Sequence, residues 1–334
     1  MNPKKGSILI LTLWVLSFLI VFNIGLARNA SSQIGLASYL QDRLKMYYLA
    51  KAGIERGIVE LQAAGEEYSY SALNQTWADN QEFFKEFPIG GGYMTLSYQL
   101  NTEEPITFYG SEDESSRINI NKVPLEVLKT LLENVGGVKT EEAGDIAGAI
   151  VDWRDVDIIV SPGGAEDLYY HSLEMPYPCK NGNFQVLEEL LLVKGMTPEI
   201  FSKLKDTITV YGDGKININT AGCLTLQALG LSSGLSERII EFRQAKDEQA
   251  GEGEAGNVFK TVGELRNIGS LFTEESIELN RVISLGLFTV TSDVFRIRSS
   301  GILKKGDRRL QRNITCVVQR NEKEEPQILY WRED

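Results

Sequence analysis

Five acids crowd one short stretch of the chain: Asp152, Asp155, Asp157, Glu166 and Asp167, divided by Ser161-Pro162-Gly163-Gly164. Hard divalent cations take about six to eight oxygens from carboxylates and carbonyls on a flexible loop, and Ca2+ tolerates irregular geometry better than Mg2+. Alternating acids at 155 and 157 ahead of a Gly-rich turn suit Ca2+ as a bound cofactor. The spacing is not that of an EF-hand, whose loop ends in a fixed Glu. A second reading uses the same residues as solvent-facing ends: Asp152 and Asp155 close one helix, while Glu166 and Asp167 open the next, where carboxylates complement the helix dipole. Spacing alone leaves both open.

Other reactive side chains offer less. A single His171 provides no His-based triad and no multi-histidine metal site. Cys179, Cys223 and Cys316 lie far apart without a C-x-x-C pair, so they read as buried small hydrophobes or as one disulfide with a thiol left over. Glu188 and Glu189 are neighbours on a helical stretch and point in different directions. Gly251-Glu252-Gly253, in the acid-rich Asp247–Gly256 segment, lacks the strand and helix of a nucleotide loop. No nucleophile, oxyanion element or cofactor fingerprint emerges, and the sequence is expected to carry no enzyme activity.

The elements that must position the acidic loop begin at the N-terminus. Ser7 to Ala27 carries no charge over twenty-one residues. At about 1.5 Å per residue such a helix crosses a hydrocarbon core of roughly 30 Å. Lys4 and Lys5 ahead of it place the N-terminus in the cytoplasm and the rest outside. The run Lys4-Lys5-Gly6-Ser7 resembles the cleavage site of the type IV pilin class. That likeness implies cutting by a prepilin peptidase after Gly6, N-methylation of Ser7, and an apolar helix retained for packing in a filament. Most members of that class carry Glu at the fifth mature position; counted from Ser7, the fifth residue here is Leu11. A carboxylate in hydrocarbon is expensive and is kept to pair with a neighbouring subunit's amine. A subunit without it suits a filament tip.

From Arg28 to Leu61 there is no Pro, and apolar residues recur at three or four. One helix is expected from about Ser7 to Ala64. Tyr93–Leu100 alternates with period two, Ile106–Tyr109 offers a short strand, and near the C-terminus Val294–Ser300 and Arg309–Arg320 flank a turn at Lys304–Asp307, with a last strand at Gln327–Trp331. Between these strands the texture is helical and repetitive. Arg117-Ile118-Asn119-Ile120-Asn121 recurs as Lys215-Ile216-Asn217-Ile218-Asn219, and Phe184–Leu190 is echoed by Phe259–Leu265. The expected fold is α+β. A long N-terminal helix and a small antiparallel sheet form a pilin-like frame, interrupted by a large all-α insert of SAM-like or helix-hairpin-helix-like repeats. The expected divisions are a leader at 1–6, a membrane helix at 7–27, frame at 28–110, insert at 111–287 and frame at 288–334.

The ordered runs R-I-N-I-N-K, D-W-R-D-V-D, G-G-A-E-D-x-Y-Y, Y-P-x-K-N-G, E-E-L-L-L-V-K-G-M-T and K-I-N-I-N-T-A, behind that N-terminus and with A-x-x-G-I-E at Ala50–Glu55, resemble the general secretion pathway protein K family. This likeness spans Gly6 to about Arg320. It implies a minor pseudopilin of type II secretion, anchored in the inner membrane with its head in the periplasm. Its implied place is the pseudopilus tip, with other minor pseudopilins and the major pseudopilin as partners and calcium in the helical domain. I-N-I-N-T-A also resembles helix-hairpin-helix domains, including membrane-tethered DNA receptors, which bind phosphate through Gly-x-Gly turns with a basic rim. The turns Gly136-Gly137-Val138, Gly195-Met196-Thr197 and Gly230–Gly234 lack that form. The formal net charge is −12, and Lys4 and Lys5 are the only charges before Arg28, so the remainder carries −14. Such a body repels nucleic acid, and none is expected as a partner.

Overall fold

The computed structural model describes residues 4–100, 106–245, 257–269, 271–321 and 325–334. The acid-rich segment at 247–256 lies outside them. Helix α1 runs from Lys4 to Glu67, a few residues beyond the expected end at both sides. Its side chains from Ile8 to Gln41 are all exposed, and burial begins at Met46. From there one face, with Leu49, Ala50, Ile54, Leu61 and Ala64, is buried. Fully burying a Leu or Ile stabilises by roughly 1.5–3 kcal/mol, so this stripe fixes the helix on its partner.

That partner is a sheet. After a short helix α2 (Gln81–Phe84) come β1 (Phe87–Ile89), β2 (Gly92–Leu96), β3 (Tyr98–Leu100), β4 (Ile106–Phe108) and β5 (Glu112–Asp113). The expected strand over Tyr93–Leu100 is thus broken at Ser97, and β3 pairs instead with β4. The insert follows as β6 (Ile118–Asn119), α3 (Leu125–Asn134), α4 (Thr140–Arg154), α5 (Asp167–His171), α6 (Pro198–Leu204), β7 (Ile208–Thr209), β8 (Ile216–Asn217), α7 (Cys223–Ala228), α8 (Ser233–Gln244), α9 (Thr273–Ser284) and β9 (Phe288–Thr289). The chain then returns as β10 (Val294–Lys305), β11 (Arg308–Gln319) and β12 (Gln327–Glu333). The six-stranded antiparallel sheet runs β1-β2-β10-β11-β12, with β5 also on β10. Gly306, at φ +57°, makes the tight β10–β11 turn, a conformation that costs Gly little.

Close approach of α1 to β2 and β10 depends on glycines. A Cβ on Gly53 would lie 2.8 Å from Leu96 Cδ1, and one on Gly57 3.0 Å from Leu96 Cδ2. The A-x-x-G-I-E run is therefore a contact surface, with Ala50 and Ile54 filling the core beside the gaps.

The insert consists of two copies of one unit, each a parallel two-residue strand pair enclosing helix, helix, 3-10 turn, helix, with α5 added in the first. β6 pairs with β7 and β8 with β9. The repeated asparagines build each unit. Asn121 Nδ2 donates to the Phe184 carbonyl (3.0 Å) while its Oδ1 accepts the Phe184 amide (2.7 Å). Asn219 does the same with Phe259, at 2.9 and 2.8 Å. Arg154 donates to the carbonyls of Ile120 and Val123, and Arg243 to those of Ile218 and Ala221. Each Arg satisfies carbonyls at a helix-leading turn that would otherwise be buried unpaired. Burial depresses Arg243 to about 10.

Candidate functional site

Three features could carry function: the exposed half of α1, the acidic loop, and the seam between frame and insert.

Gly6 and Ser7 lie in the first turns of α1. Among the described residues α1 is the one helix long and apolar enough to cross a membrane. Leu11 is 64% exposed on it, with Trp14 and Phe18.

The acidic loop leaves α4 and ends at α5. Asp155, Asp157 and Glu166 bring one carboxylate oxygen each within 4.8 Å of one another. Glu166 is buried with no N–H or O–H donor on its carboxylate among the described residues, only the weak Cys179 thiol beside it, and buried Oδ1 of Asp155 is unpartnered. Desolvation, then repulsion from Asp152 and Asp155, pushes the Glu166 carboxyl above its ordinary value. Desolvation, then Asp157 and Asp152, does so for Asp155. Buried oxygens short of donors, on Asp155 and Glu166, are the complement of a cation, and with exposed Asp157, whose Oδ1 accepts the Ile159 amide at 2.8 Å, these three residues could hold one. The other two acids are placed differently. Both oxygens of Asp152 accept the Ser161 amide, at 3.1 and 3.2 Å, and Asp167 Oδ1 accepts the Cys179 amide at 2.7 Å. They shape the loop instead of facing its centre.

A raised folded pKa means that the ionised group penalises the native state, fully so above the folded pKa and not at all below the unfolded one. In chelator near pH 7, Glu166→Gln should therefore melt higher than the parent. That advantage should vanish as pH falls toward the ordinary value of 4.5. Calorimetry across this range checks the sign.

The three cysteines are separate thiols. Burial pushes Cys179 up to about 11, with Glu166 nearby adding to it, and Cys316 up to about 12. Glu189 does not pair with Glu188: its carboxylate accepts the Gln185 and Val186 amides and the Lys180 ammonium.

The seam is a constellation that spacing did not reveal. Glu112, Asp113 and Glu114 are consecutive and all buried. Glu112 binds Arg117 and Arg298; Glu114 binds Arg117 (3.0 Å) and Arg296 (2.6 Å). Asp113 Oδ2 accepts from Ser292 (2.6 Å), Thr220 (2.5 Å) and Asn217 (3.2 Å). Arg296 and Arg298 belong to the sheet, Arg117 and Asn217 to the two repeat openings. The acids thus join the frame to both repeats. Burial alone would raise Glu112, but Arg117, Arg298 and Arg296 hold it below its ordinary value. Burial raises Asp113 against its hydrogen bonds. One cue was available: two arginines at alternate positions of a strand whose neighbours Phe295 and Ile297 face the core.

Residues 105–213 match the model of the type II secretion system (T2SS) protein K first domain. Type II secretion system protein K of Pectobacterium carotovorum subsp. carotovorum is 25% identical over 229 residues, 66% of this chain and 67% of that protein. The Aeromonas hydrophila protein of that name is 26% identical over 267 residues, 73% of this chain and 77% of that one. Among solved structures, the GspK-GspI-GspJ complex from the enterotoxigenic Escherichia coli type 2 secretion system contains a chain matched at a TM-score of 0.67 and 17% identity, over 89% of this chain and 99% of that one. An N-terminal helix half exposed and half docked on an antiparallel sheet, split by a helical insert, is the pilin-like fold with an inserted domain that this match supports. Along two thirds to three quarters of its length the chain is similar to type II secretion system protein K.

Proposed function

We propose that this subunit begins or caps a type II secretion pseudopilus, in a complex with other minor pseudopilins and below them the major pseudopilin. In this reading α1 sits in the inner membrane with the N-terminus cytoplasmic, a prepilin peptidase cleaves after Gly6, and the head faces the periplasm. What carries the reading is α1 itself: its apolar exposed half has no partner among the described residues, as lateral packing among subunit helices requires, and Leu11 stands where a carboxylate would recruit a subunit ahead. The insert's bulk blocks stacking above the sheet. Intact mass of the membrane-extracted protein tests the processing step. A chain starting at Ser7 is expected, and an intact Met1 would make α1 a plain anchor.

The acidic loop is proposed to hold Ca2+ through Asp155, Asp157 and Glu166, where a bound cation would neutralise crowded carboxylates and fix the loop. Added Ca2+ should raise the melting temperature over the chelated protein, and Asp157→Asn should shrink that rise. Equal melting with and without Ca2+ would remove the cation from this account.

A further inference from the structure

The two repeats share a skeleton, so what one adds to it stands out. Twenty-nine residues lie between Arg154 and Phe184 of the first repeat, against fifteen between Arg243 and Phe259 of the second. Within the longer connection Val156, Ile158, Ile159 and Val160 are exposed by 86%, 77%, 74% and 56%. A contiguous apolar patch of this kind on a soluble domain marks an interaction site.

The patch is held at both ends. On one side the Arg154 guanidinium is fixed on the Val123 carbonyl at 2.6 Å. On the other, the Ser161 amide is bound by Asp152, and Lys194 Nζ donates to the carbonyls of Gly163 (3.0 Å) and Gly164 (3.1 Å). Gly163 takes φ +75°, and a Cβ on Gly148 of α4 would lie 2.7 Å from the Pro162 carbonyl oxygen, so the turn is seated directly on the helix. Four aliphatic side chains therefore project from a braced rim.

Charge selects what can cover them. The flanks carry Asp155, Asp157, Glu166 and Asp167, and the nearby cations Arg154 and Lys194 are committed to internal carbonyls. A second copy would set these acids against their own kind. Anionic phospholipid would meet the same repulsion, and residues 155–160 contain no Trp or Tyr to seat among headgroups. A protein surface with an apolar pocket and a Lys/Arg rim complements both the tip and its shoulders. We infer that Val156–Val160 is a docking finger for a different protein that offers an apolar pocket rimmed by basic residues. One dication on Asp155, Asp157 and Glu166 would still leave the shoulder net negative, three carboxylates against two charges with Asp167 beside them.

The test places a photo-crosslinking phenylalanine analogue at Ile158 in the full-length chain in its own membrane, and sequences the joined peptide. The expected product is a protein other than this chain, joined at apolar residues flanked by Lys or Arg. Ile159→Asp in the same chain should cut its yield by about tenfold, the effect of losing an interface anchor. Ile159→Ser should also lower it, with the melting temperature of both variants at the parent value, so that loss of fold cannot imitate loss of docking. Raised salt should reduce the yield by screening the rim. Products confined to lipid, to a second copy or to peptides without basic neighbours would overturn the inference, as would a yield that Ile159→Asp leaves unchanged. Proteoliposomes carrying the full chain should not capture phosphatidylethanolamine–phosphatidylglycerol vesicles; capture that depends on Ile159 would reassign the finger to lipid.

Discussion

Glu112→Ala should lower the stability of the head by about 3–5 kcal/mol at neutral pH, the cost of breaking a buried ion pair from one side. The substitution leaves the Arg117 guanidinium, 9% exposed, with Glu114 and the Asp206 carbonyl, and takes from Arg298 the one carboxylate it pairs with among the described residues. The sign with pH follows from the arginines. Because they hold the Glu112 carboxyl below its ordinary 4.5, its contribution is fully present above that value and is lost as pH falls through the lower folded value. The deficit of the variant should therefore stay constant from neutrality down to about pH 5 and shrink below 4.5. Denaturant titrations at several pH values measure both parts. A deficit under about 1 kcal/mol at pH 7 would mean that the seam behaves like a surface pair.

Gly301→Val should be at least as damaging to the frame, by about 3 kcal/mol or more, because overpacking here meets backbone that cannot yield by a rotamer change. A Cβ on Gly301 would overlap the Met46 carbonyl oxygen and lie 2.7 Å from the Ala50 amide nitrogen. The helix would have to lift off β10, taking Leu49, Ala50 and Ile54 from their buried positions. Limited proteolysis between Met46 and Leu61 should become fast in this variant. The same substitution at Gly144, whose Cβ would meet nothing within 4 Å, serves as the control for generic glycine replacement.

Much of this arrangement could be read from residues. The 3.6-residue period after Arg28 and the period-two runs near both ends gave the frame. The duplicated I-N-I-N runs marked two units of one kind, and the structure supplies their reason: an Asn that clips a distant Phe through both its donor and its acceptor needs a partner found only in three dimensions. The acidic loop was visible as a cluster, but which acids converge was not. Asp152 and Asp167 are tied to amides of distant residues, Ser161 and Cys179, whereas Asp157 accepts only the Ile159 amide two residues on, and no spacing rule distinguishes these cases. The seam was least visible. Glu112-Asp113-Glu114 reads like any solvent-facing acid run, and its burial depends on Arg296 and Arg298, which arrive after the whole insert has been made.

That last point sets an order of events. β2 ends at Leu96 and β10, which must pair with it, begins at Val294, so the centre of the sheet is supplied late in synthesis. Contacts this distant in sequence close slowly unless something shortens the path. The insert does so. Once its two units have formed, Asp113 before them and Ser292 after them meet on Asn217, which binds both. A chain of nearly two hundred residues then behaves as a short tether that delivers β10 beside β5. The helical domain in this sense clasps the two halves of the frame that carries it, and the buried glycine face of α1, at Gly53 and Gly57, packs on the sheet so closed.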